Sequence, residues 1–159
     1  MNIIIKDIIN KQQIINYFDS ILHDVSYDSK SHGFDEERKV FFVNVLWVDF
    51  DHAKKQKFLK IFTYYSCPLI VVKITINNLS QYTLETDDIE SVDYLLNWCL
   101  EKEVLTIKGV LKNHKLWLTP ESEMYLSNIS EIDWSRIVYM SEGKLQRVKL
   151  MAKKAGLVF

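Results

Sequence analysis

The chain has 159 residues, 48% of them hydrophobic and 13% aromatic, with only four Gly and two Pro; that supplies one sizeable core and excludes a disordered or linker-rich chain. Lys and Arg nearly balance Asp and Glu at a net charge of -1, which excludes a global field drawing the protein to nucleic acid or anionic lipid, so any such contact needs a local patch. Cys67 and Cys99 are too few and too far apart for a disulfide framework and read as reduced thiols. The opening Met1-Asn2-Ile3-Ile4-Ile5-Lys6-Asp7 lacks a basic leader, and no apolar run approaches a membrane span. The expectation is therefore a single domain over residues 1–159, cytoplasmic, with no membrane partner and nucleic acid disfavoured.

In chain order, Ile8, Ile14, Ile15, Phe18 and Leu22 recur at three- and four-residue spacing and predict a helix over 7–22 with Asp7 as its cap. Val25 to Asp28 alternates as a short strand, followed by a polar loop over 29–38. Val40 to Phe50 reads as a strand with apolar residues on both faces. Asp51 to Lys57 is charged and loop-like, Phe58 to Tyr65 resumes strand character, and Pro68 marks a break. Leu69 to Ile76 is the densest β-branched run, with Ile70, Val72, Ile74 and Ile76 on one face.

Asn77-Asn78 offers a tight hairpin turn into a strand over 79–84, because Asn tolerates positive φ. Asp87 and Glu90 have the spacing of a capping box before Ile89, Val92, Leu95, Leu96, Cys99 and Leu100, predicting a helix over 88–102. Val104 to Leu111 and Leu116 to Leu118 read as a hairpin around Lys112-Asn113-His114, and Met124 to Ile129 as a further strand. Ser141 caps a last helix carrying Leu145, Val148, Met151, Ala152 and Ala155, with Gly156 as its stop. The order predicts an α+β fold with a curved, mainly antiparallel sheet of six or more strands and about three helices.

Because Val40 to Phe50 is apolar on both faces, the second face needs cover from curvature, from helices divided between faces, or from an interface with a like subunit or a foreign partner. Curvature around Trp47 and Phe62, with part of one face left for recognition, is the favoured reading. It makes Trp47, Phe41 and Phe62 candidate binding residues, together with the acidic cluster of Glu85, Asp87 and Asp88. The competing use of those acids is solvation and helix capping.

His23-Asp24 together with Asp49-Phe50-Asp51-His52 supplies the imidazole and carboxylate ligands that a divalent metal needs, and hence a route to metal-dependent hydrolysis. That route requires the two segments to meet in space. The competing reading of His23-Asp24 is a helix end, where His favours the negative pole of the dipole. Cys67 or Cys99 with His52 or His114 as base would make a thiolate nucleophile, but their apolar settings favour packing. The four glycines are isolated from one another, so no phosphate loop or cofactor is expected. Lys54, Lys55, Lys57 and Lys60, and Lys144, Arg147, Lys149, Lys153 and Lys154, form two basic runs that read as solvated faces.

The amphipathic helix leading into Leu22-His23-Asp24-Val25-Ser26-Tyr27-Asp28, the long strands after it and the late Ile-Lys-Gly-Val at 107–110 resemble small bacterial α+β proteins similar to immunity proteins of polymorphic toxin systems. The resemblance implies a cytoplasmic protein that binds and blocks a toxin domain, and it assigns no catalytic residue. The expected function is thus a non-enzymatic protein-binding module, with a metal-dependent hydrolase as the alternative.

Overall fold

A computed structural model describes residues 2–22, 25–27, 31–59, 61–86 and 93–157, with the side chains of 25–27 and of 95 and 96 excepted. The fold is α+β. Strands β1 (Asn2–Ile5), β3 (His32–Asp35), β4 (Val40–Val48), β5 (Lys54–Phe58), β6 (Phe62–Asn77), β11 (Glu123–Asn128) and β12 (Asp133–Ser141) form one antiparallel sheet. Strands β2 (Val25–Tyr27), β7 (Gln81–Thr86), β8 (Asp93–Glu101), β9 (Val104–Gly109) and β10 (Lys112–Trp117) form a second, ordered β2-β8-β9-β10-β7. Helices α1 (Gln12–Leu22) and α2 (Glu142–Lys154) complete the described elements, with a short 3-10 turn at Ile8–Asn10 before α1.

The sixteen-residue β6 is the axis of the first sheet. From Leu69 to Ile76 it pairs with β4 and over Val72 to Asn77 with β11; nearer its start, Ser66 lies opposite both Lys54 of β5 and Tyr139 of β12. Thus β4 and β5 follow one another along one edge, and β11 and β12 along the other. Pro68 does not break the strand. Asp49 N donates to Pro68 O at 2.9 Å, so the main-chain groups of Pro68 face the interruption between β4 and β5. The donor that proline lacks would have pointed at that gap, where no regular strand waits to accept it. The break signalled by the proline belongs to the neighbouring strand.

The core lies between the sheets. Phe41, Val43, Val45 and Trp47 of β4 and Ile70, Val72, Ile74 and Ile76 of β6 point inward with Leu105, Ile107 and Leu116 of the second sheet, all in one cluster of buried residues. The apolar stripe of α1, with Ile14, Ile15, Tyr17, Phe18 and Leu22 buried, wedges between them. Phe18 meets Trp47 at 6.0 Å and stacks on Trp98 at 5.3 Å between ring centroids. Beyond the helix the sheets touch directly, through Phe41 against Tyr82 and His114.

Several expectations are corrected. The helix predicted over 88–102 is strand β8 from Asp93 onward, while Asp87, Asp88 and Glu90 lie outside the described residues; two α-helices stand where about three were expected. Tertiary contacts override the helical spacing here. The Asp93 carboxylate accepts from the backbone N–H groups of Val110, Leu111 and Lys112 at 2.9 to 3.1 Å, and Trp98 N donates to Asp19 Oδ1 at 2.8 Å. Each bond fixes β8 as an extended strand against α1 or the β9–β10 turn. That turn sits at Val110-Leu111, earlier than predicted, and needs Gly109 because a Cβ there would overlap the Asp93 carboxylate.

The chain does turn at Asn78 (φ 56°), yet β7 then enters the second sheet beside β10 and does not return along β6. The predicted loops conceal β3 and β5, and β1 and β12 lie where no strand was read. Asp7 adopts φ 56° and gives no side-chain cap. Ser141 does cap α2, its Oγ accepting from Lys144 N, and Gly156 follows the helix at φ 74°.

Candidate interaction surface

The His and Asp residues singled out for a metal fall unevenly. His23 and Asp24 lie outside the described residues. Asp49, at the break between β4 and β5, accepts through Oδ1 from Asp51 N (3.0 Å) and His52 N (3.3 Å), and its Oδ2 stands 2.7 Å from His52 Nδ1. One carboxylate thereby builds the turn and orients the imidazole, beside a cleft of about 290 Å³ lined also by Asn2, Trp47 and Asn128. Among the described residues no three His, Cys, Asp or Glu side chains converge as metal ligands.

Cys67 lies fully buried, and burial pushes its thiol up; Lys149 works in the opposite sense and Asp49 adds to the rise. Such a thiol is held as a packing group, away from the thiolate that attacks or coordinates. Cys99, partly exposed, places its sulfur 3.7 Å from Glu101 Oε1.

Phe41 and Trp47, expected at a recognition face, are buried in the core, at 0% and 3% exposure. Glu85 is exposed and pairs with Lys115 at 2.5 Å across β7 and β10. Asp87 and Asp88 lie outside the described residues. Phe62 alone of the three aromatics is at the surface, and its surroundings define the candidate site.

β5, the first half of β6 and β12 form a three-stranded arm. Inward burial along β6 breaks its alternation at Ser66, Cys67 and Pro68, all three buried, so the faces of the arm differ from those of the sheet beyond. One side, with Tyr65, Cys67, Val138 and Met140, packs toward the core and α2. On the other side, directly opposed residues share a face, and the register aligns Phe58 with Phe62, and Tyr139 with Ser66 beside Tyr64. Tyr64 and Tyr139 meet edge to face at 5.6 Å. The Lys54 ammonium stands 3.6 Å above the Trp134 ring, a cation held on a half-exposed aromatic.

These side chains are open to solvent: Phe58 is 58% exposed, Phe62 61% and Tyr139 64%, with Leu59 at 68% and Ile61 at 77% on the apex between them. Leu59 takes φ 51°, turning the hairpin so that its apolar neighbours project outward. Isolated surface aromatics need no explanation, but a contiguous group on one face does. Lys54 lies on this face and Arg136 beside it, paired with Asp133 at 3.6 Å; Lys55 and Lys57 alternate to the opposite face, where Lys55 meets Glu142 of α2 at 4.0 Å.

The sequence signal for this surface was present but scattered. The single strand expected over 58–65 is a hairpin, in which Phe58 ends β5, Ile61 N donates to Phe58 O and β6 starts at Phe62; a run of apolar residues gives no sign of the turn, the lysines of β5 imitate a loop, and β12 carries apolar residues without strict alternation. Fold and site together define an α+β protein of two antiparallel sheets with a projecting aromatic arm. Comparison of the chain with models of protein families, with curated proteins and with solved structures finds no match.

Proposed function

We propose that this chain is a non-enzymatic protein-binding module whose arm docks on a partner protein; the resemblance of its sequence to immunity proteins suggests a toxin domain, bound and neutralised, as that partner. The observation that carries the reading is the contiguous aromatic group on one face of the arm, Phe58, Phe62, Tyr64 and Tyr139, with no described element over it. Aromatic side chains supply large contact area at small entropic cost and are the usual anchors of protein interfaces. The lysine and arginine border adds electrostatic steering toward an acidic partner.

The test is co-expression and co-purification with the products of the adjoining genes. A neighbour that is toxic alone, is neutralised in the pair and co-purifies is the expected result. Phe62→Ser with Tyr139→Ser should weaken that complex by at least about tenfold, as loss of two interface anchors does. Failure of every neighbouring product to bind or to be neutralised would overturn the reading.

A further inference from the structure

The two outer edges of the arm are not equivalent. β5 and β12 each pair with β6 and, among the described residues, with no other strand. The outer edge of β5 is five residues long and carries Lys54, Lys55 and Lys57. Lysines on a short edge keep other chains from pairing there. β12 spans nine residues, but its register to β6 shifts between Asp133 and Ile137 and is regular from Ile137 to Ser141; Arg136, its single cation, falls in the irregular part and is held by Asp133. Trp134, Ile137 and Tyr139 lie along β12, exposed.

The direction of the main-chain groups follows from Pro68. Since Pro68 O is turned to Asp49 on the β4 side, Pro68 faces away from β12. In an antiparallel ladder the residue opposite such a position also faces away from the pair. That residue is Ile137, with Tyr139 two places on in the same sense. Their N–H and C=O groups therefore point off the sheet, toward solvent, on the stretch Ile137–Ser141, which carries no charged side chain.

We propose that β12 is an acceptor edge: an extended segment of the partner protein adds to the sheet as a further antiparallel or parallel strand beside Ile137 and Tyr139, laying its side chains on the aromatic face. This rests on the protein-binding reading above and supplies its mode, strand addition. The cations on this face, Lys54 over the Trp134 ring and Arg136 on β12 itself, favour a segment bearing acidic residues over a second copy of this chain, which carries the same cations.

Hydrogen exchange on the full-length protein, alone and with each co-purified neighbouring product, tests the proposal. Slowing of the Ile137 and Tyr139 amides by tenfold or more in the complex is expected. Ile137→Lys, which places a guarding charge on the edge without touching the ladder to β6, should weaken binding by at least about tenfold while leaving the unfolding midpoint of the free protein unchanged. Tyr139→Pro, which removes one outward N–H, should do the same. A neighbour that binds while both amides exchange freely would overturn strand addition and leave the protein-binding reading standing. No binding by any neighbour would overturn both. A homodimer of the isolated chain at micromolar concentration, dissociated by Ile137→Lys, would overturn the choice of occupant.

Discussion

Burial sets the charge state of His114, so the protein is expected to lose stability well before its carboxylates titrate. The ring is fully buried, meets the His32 ring edge-on at 4.9 Å between centroids and has Nδ1 3.1 Å from the Tyr82 hydroxyl. Burial holds that phenol up, at about 12, so it stays protonated beside the imidazole. Desolvation, reinforced by His32 and Lys112 and opposed by Asp93, pushes His114 down from 6.5 to about 3. Because the native value lies below the unfolded one, the unfolded chain takes up the proton first. The stabilisation is complete above about pH 6.5 and is lost as the pH falls toward 3. Between pH 7 and pH 5 the linkage amounts to about 2 kcal/mol, and a native value one unit higher would change this little, since pH 5 lies above both. For a domain of this length that corresponds to roughly 4 to 8 °C in Tm. Urea unfolding of the wild type and of His114→Gln, whose amide does not titrate, at both pH values is the assay. The wild type should lose about 2 kcal/mol more than the variant. Parallel losses in the two proteins would refute the buried, neutral imidazole as the source.

Asp93→Ala should cost about 2 kcal/mol or more, because three backbone donors of the β9–β10 turn lose their acceptor, that of Lys112 in a buried setting; a variant within 0.5 kcal/mol of wild type in urea unfolding would remove Asp93 as the anchor of β8. Phe18→Ala should cost about 3 to 5 kcal/mol by opening a cavity between Trp47 and Trp98, whereas Leu59→Ala at the exposed apex should stay within about 0.5 kcal/mol. A thiol reagent should modify Cys99 in the native protein and reach Cys67 only on unfolding, given full burial and a raised thiol at Cys67; equal rates would contradict that placement. After incubation with zinc or manganese, the purified protein should retain no stoichiometric ion; retention abolished by Asp49→Asn or His52→Gln would favour the hydrolase alternative instead.

The sequence by itself determined the fold class and the elements whose signals are local. The apolar spacing of Ile14, Ile15, Phe18 and Leu22 makes α1, Ser141 caps α2, and the β-branched run from Leu69 makes the buried half of β6. Phe62 was likewise recognisable as an aromatic in a strand, although its exposure was not. Tertiary structure alone decided the rest, because the deciding partners are distant in sequence. Asp93–Glu101 has helical spacing, yet it is a strand because Asp93 is held by 110–112 and Trp98 by Asp19. Phe41, Trp47 and Phe62 are alike in sequence, but α1 and the second sheet cover the first two and nothing described covers the third. Lys54–Phe58 reads as a charged loop and becomes a strand because β6 extends past Pro68 to offer it an edge. Which residues of β12 turn their main-chain groups outward depends on where Pro68 points its carbonyl, a property of the assembled sheet that no local pattern encodes.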